Sequence, residues 1–101
     1  MVNFNGISWR IFFVSPIHPV LKKDNIYTLG ACVKNNTTIY INNSLNKEKL
    51  KRVMYHEFAH AAMFSYNIYL TLEEEETFAN LFSLHGEEII AKVNSFLKTK
   101  K

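Results

Sequence analysis

The residues best suited to chemistry lie in Tyr55-His56-Glu57-Phe58-Ala59-His60-Ala61, which contains the pattern His56-Glu57-x-x-His60. On a helix, residues four apart stack on one face, so His56 and His60 can share one metal ion. Imidazole suits zinc, and two such ligands at about 2.0–2.1 Å fill half of a tetrahedral shell. Glu57 sits about 100° round the helix from His56. There it is placed to take a proton from a zinc-bound water instead of binding the ion. The competing reading is two ordinary core histidines. It is disfavoured because Val53 to Phe64 is apolar nearly all round apart from these three side chains. Polar groups in such a helix are costly unless satisfied.

A third ligand is expected among Glu73, Glu74, Glu75 and Glu76. Thr71-Leu72-Glu73-Glu74 fits a capping box and opens a helix, whose dipole favours acidic residues in its first turns. A helical wheel puts Glu75 inside the apolar stripe of Leu72, Phe78, Ala79 and Phe82, and Glu76 at its edge. This leans towards Glu75 and leaves the choice open. His85 falls on the opposite side of a continuous helix from Glu76 and reads as a surface or core residue. His18, between Pro16 and Pro19, reads as a loop residue. Tyr66 and Tyr69, just past the histidine helix, are candidates for stabilising an oxyanion, although packing tyrosines are commoner.

The elements that must hold these residues can be read in order. Ile7 to Val14 is rich in β-branched and aromatic residues and reads as a strand that Pro16 ends. Asn25 to Val33 forms a second extended segment, with Gly30 as a possible bulge. Asn35-Asn36 supplies a turn into a third strand, Thr37 to Asn42, and the last two segments pair as a hairpin. Thr38 to Ile41 is the expected edge on which an extended peptide could pair. Asn43-Ser44-Leu45-Asn46 caps a helix from Lys47 to Tyr66, which needs cover on every side: the sheet on one flank, a later helix on the other. Gly86 breaks or kinks the pattern. Glu87 to Leu97 then reads as a final amphipathic helix with Ile89, Ile90, Val93 and Phe96 inward, ending in a frayed Lys98 to Lys101.

The expected fold is therefore α+β: one domain, residues 1–101, with a small N-terminal antiparallel sheet of about three strands on the histidine helix and one or two C-terminal helices. An apolar fraction of 48% and a charged fraction of 21% exclude a disordered chain. The net charge of +3 is mild, so Lys22 and Lys23, then Lys47 to Arg52, read as a solvated face and nucleic acid as an unlikely partner. Cys32 is the only cysteine and rules out an internal disulfide. With no visible signal peptide and no run of ~20 apolar residues, the expectation is a cytoplasmic protein with no membrane partner.

From Thr37 to Ser83 the chain resembles the ImmA/IrrE family of small zinc metallopeptidases of bacteria and their mobile elements. The likeness is carried by Ile39-Tyr40-Ile41-Asn42, the charged lead-in Asn46 to Arg52, His56-Glu57-Phe58-Ala59-His60-Ala61, and Glu76-Thr77-Phe78-Ala79-Asn80. The resemblance implies zinc held by His56, His60 and Glu76, with Glu57 as general base. It also implies a zincin-like catalytic domain that cuts an intracellular protein, typically a phage or mobile-element repressor. Two features depart from the family: only about 15 residues separate His60 from the glutamate helix, and no helix-turn-helix or sensor domain is attached. These departures motivate the alternative of a non-proteolytic zinc scaffold that acts by binding a host regulator or defence protein.

Overall fold

A computed structural model describes residues 1–99; Lys100 and Lys101, part of the expected frayed end, lie outside the described residues. The architecture is mixed α+β. Strands β1 (Val2–Phe4), β2 (Ile7–Val14), β5 (Gly30–Val33) and β6 (Thr38–Asn42) form a four-stranded sheet in the order β1-β2-β6-β5. Between β2 and β5 a short ribbon, β3 (Lys22–Lys23) with β4 (Ile26–Tyr27), stands apart from that sheet. Two helices follow, α1 (Lys47–Ser65) and α2 (Leu72–Thr99).

The expected hairpin is present: β5 pairs antiparallel with β6, Cys32 opposite Ile39. Its turn is a short 3-10 segment, Lys34–Asn36, and the residue that takes up the left-handed conformation is Thr37 (φ 47°), not an asparagine. The sheet departs from the expected antiparallel arrangement at its centre. There β2 runs parallel to β6, Ile11 opposite Ile39 and Phe13 opposite Ile41. That pairing makes β6 an interior strand, so Thr38 to Ile41 is not an edge. The edges are β1 and β5; β5 has β6 on one side and, among the described residues, no strand on the other.

Helix α1 begins where Asn46 accepts a hydrogen bond from the Lys49 amide (2.9 Å), as its sequence predicts. One of its faces packs Val53, Met54, Phe58 and Ala61 on a core of Trp9, Ile39 and Ile41, all three fully buried. At the helix C-terminus the Trp9 indole donates to the Ser65 hydroxyl (2.8 Å), so the largest core side chain leaves no polar atom unsatisfied. The other face carries Ala59 and Met63 against Ala79 and Phe82 of α2. Small residues there let the two helices approach closely. The sheet and the later helix thus cover α1 on the two expected flanks.

The capping box forms as read: the Thr71 amide donates to Glu74 (2.9 Å) and the Glu74 amide to the Thr71 hydroxyl (3.1 Å). Gly86 does not end the helix. It is buried within a continuous α2, and a Cβ there would stand 2.9 Å from the Phe82 ring. The glycine makes room for that ring instead of breaking the backbone. The expected inward stripe is also corrected: Ile89, Ile90, Val93 and Phe96 are 50–58% exposed. Lys51, in the second turn of α1, bonds Glu87 at 2.8 Å, and past that point α2 runs on beyond the start of α1. Among the described residues no helix is long and apolar enough to cross a membrane.

Candidate metal centre

Two helices bring the candidate residues together. The α1 register stacks His56 on His60, with Nε2 atoms 3.1 Å apart. From α2, Glu76 reaches both: one carboxylate oxygen is 2.7 Å from His60 Nε2 and the other 3.4 Å from His56 Nε2. One donor atom from each of the three residues falls within 4.8 Å of the others, close enough to hold a single metal ion. Ligands at 2.0–2.1 Å in a tetrahedral shell are separated by about 3.3 Å, so the cluster is near that spacing already.

Glu75 contacts the same histidine from the other side. Its carboxylate accepts from His60 Nδ1 at 2.6 Å and is buried, with the Lys34 ammonium at 3.1 Å. Burial pushes the Glu75 carboxyl up, but the bonds from His60 and Lys34 outweigh it and hold the group below its ordinary value. The tautomer follows from this contact. A neutral imidazole has one N–H, and donating it from Nδ1 to Glu75 leaves the Nε2 lone pair facing Glu76 and His56. Acceptor then faces acceptor, an arrangement that a cation between them resolves. Asn80, one turn after Glu76, lies beside the His56 ring, whose pKa is lowered by burial and by the neighbouring His60.

Both glutamates left open by the wheel therefore belong to the site, at different distances from the ion it would hold. The wheel put Glu75 on the buried side of α2 with Ala79, although Leu72 and Phe78 of the same stripe are exposed; the angle alone does not tell a ligand from the group that orients a ligand. Lys34 gave no signal in the sequence, because its role depends on a turn that folds back onto α2.

Glu57 is buried at the wall of the cleft. Burial raises its carboxyl to about 7, helped by the Glu76 carboxylate and opposed by His60 and Lys23. Cys32, on β5 nearby, is pushed up to about 12 by burial and by the carboxylates of Glu57 and Glu75, with Lys34 opposing. These groups open onto a cleft of about 690 Å³ whose floor includes Gly30, Ala31 and Cys32 of the β5 edge. His85 is exposed and faces Glu88 at 3.7 Å, away from the cluster. His18 caps a 3-10 turn by accepting from the Val20 amide. Neither Tyr66 nor Tyr69 lines the cleft; both are exposed beyond the far end of α1.

No protein-family model, curated protein or solved structure matches this chain.

Proposed function

We propose that this chain is a zinc-dependent endopeptidase. The observation that carries the reading is the position of Glu57: a buried carboxylate beside a His-His-Glu donor set, in a cleft floored by the free edge of a β-strand. Two imidazoles and a carboxylate form the donor set of catalytic zinc sites, which keep a fourth position open. Zinc, when bound, supplies a Lewis acid that acidifies water towards ~7 and polarises the scissile carbonyl.

The remaining steps belong to the chain. The outer edge of β5 offers backbone donors and acceptors that hold an extended peptide without reading its side chains. Glu57 takes a proton from the attacking water as its oxygen bonds to the carbonyl carbon. It returns that proton to the amine as the carbon–nitrogen bond breaks. Glu75 fixes His60 in one tautomer. By the resemblance noted for Thr37 to Ser83, the substrate would be an intracellular protein such as a transcriptional repressor.

The test compares bacterial cells expressing wild type with cells expressing Glu57→Gln, by mass spectrometry of protein termini. New termini should appear with wild type alone while both proteins hold one zinc. Matching profiles would refute the peptidase reading and favour the non-proteolytic scaffold.

A further inference from the structure

The charges around the cleft are divided unevenly. Its carboxylates, Glu57, Glu75 and Glu76, are all drawn into the metal centre, and Lys34 is committed to Glu75. Four other cations line it: Lys22 and Lys23 from the β3 strand, and Lys49 and Arg52 from α1. All four are exposed, and none forms a salt bridge with a carboxylate among the described residues; Lys22 lies over the Tyr27 ring instead.

Their placement along the β5 edge is one-sided. Gly30, at the start of β5, lies against Val53 and Glu57, whereas Lys34, just past its end, meets Glu75. Lys49 and Arg52 precede Val53 on α1, and Lys22–Lys23 is tied by the Thr28 amide to Leu21 just ahead of Gly30. The cations therefore converge from two elements on the end of the cleft where β5 begins. The other end holds Glu75 and Glu76, with Glu57 between them and the cations. A low-dielectric cleft lined by one sign of charge focuses its field on what enters.

Resting on the peptidase reading for the role of the edge, we infer that this cleft selects an extended peptide carrying acidic residues on one side of the bond at the metal centre. A nucleic acid strand would also meet the cations. However, among the described residues no Phe, Tyr or Trp lines the cleft, its two imidazoles face the metal centre, and single strands are held by stacking as well as by charge. The strand edge offers what a peptide backbone uses and a phosphate backbone does not.

The test uses zinc-loaded Glu57→Gln, which keeps a bound peptide intact, and fluorescent peptides identical except that the glutamates of one are glutamines in the other. Anisotropy at low salt should show roughly tenfold tighter binding of the glutamate peptide, shrinking as salt is added. Lys23→Glu/Arg52→Glu should abolish that preference; both side chains are exposed, and the Arg52 contact with Ser83 is made by the backbone carbonyl. Lys92→Glu/Lys98→Glu, with the same change of net charge on the far part of α2, should retain it. Equal binding of the two peptides, or equal loss in both double variants, would overturn the inference. So would an oligonucleotide that displaces the glutamate peptide at stoichiometric concentration. A selective cleft whose wild type cuts nothing would sustain this inference and refute the peptidase reading.

Discussion

Adjacent glutamates of α2 reach His60 on its two ring nitrogens, and their different depths give them separable jobs. Glu76 is 43% exposed in its side chain and faces both Nε2 atoms; Glu75 is buried and faces Nδ1 alone. Removing the charge at Glu75 leaves every donor in place but loosens the tautomer and takes away the ion pair with Lys34. Glu75→Gln should therefore weaken zinc binding by roughly ten- to a hundredfold, the usual effect of losing a carboxylate behind a histidine ligand. Glu76→Gln should weaken it further, since it replaces an anionic donor. Competition with a chromogenic chelator measures both, and the reverse order would exchange the roles of the two residues. Cys32 allows a second prediction. Its folded-state thiol is raised from 9.0 to about 12, so the native state binds this proton more tightly than the unfolded state. The resulting stability is complete below pH 9 and is lost as pH rises towards 12. In metal-free protein, the stability difference between wild type and Cys32→Ala should shrink or change sign over that window, as read by urea midpoints. A pH-independent difference would show that the thiol is not held in its neutral form.

The elements were legible wherever their signals are local. Asn46, the Thr71–Glu74 box and the hairpin of β5 with β6 each depend on neighbours within a few residues, and each formed as expected. What the sequence left hidden depends on contacts far along the chain. The parallel pairing of β2 with β6 joins segments separated by the whole β3–β5 region, and nothing in Ile7 to Val14 specifies which side of β6 it takes. That pairing moved the edge from β6 to β5 and turned Gly30 from a bulge candidate into a close-packing residue. A Cβ at Gly30 would lie 2.8 Å from Val53 and 3.0 Å from Glu57. Gly30→Ala should thus displace the Glu57 side chain, costing about 1–3 kcal/mol and most of the cleavage activity. Thermal melts and peptide turnover on the same preparation check this; full activity would mean that Glu57 is not positioned by the floor of the cleft. The amphipathic pattern of Ile89 to Phe96 was read correctly as a pattern, but periodicity does not say how deeply those side chains are covered. Val93→Ala should cost less than about 0.5 kcal/mol. Ile41→Ala, in the fully buried core, should cost about 2–5.

Over the whole molecule, the sheet and α1 share one core, whereas α2 is attached mainly through α1. The Cα radius of gyration is 15.1 Å, above the ~13 Å of a compact domain of this length, because α2 projects past its neighbour. The buried cluster joining the two helices is small: Ala59, Met63 and Ala79, with Phe82 packed against it. The metal centre adjoins that cluster and takes donors from both helices, so an ion bound there would tie α2 to α1 at the point where packing is thinnest. Zinc should accordingly act on stability as much as on chemistry. At free zinc roughly a thousandfold above Kd, linkage gives about 4 kcal/mol. For a chain of this size that corresponds to a rise in Tm on the order of 15 °C or more. Stripping the ion with a chelator should reverse this and loosen α2 before the sheet. The 66–71 connection, exposed throughout and carrying Tyr66, Tyr69 and Leu70, should then become the first site of chymotryptic nicking. Digestion with and without zinc, read by mass spectrometry, distinguishes the cases. Protection of residues 66–71 by the ion alone would show that the site closes the two-helix unit, and an identical cleavage pattern would show that packing suffices without it.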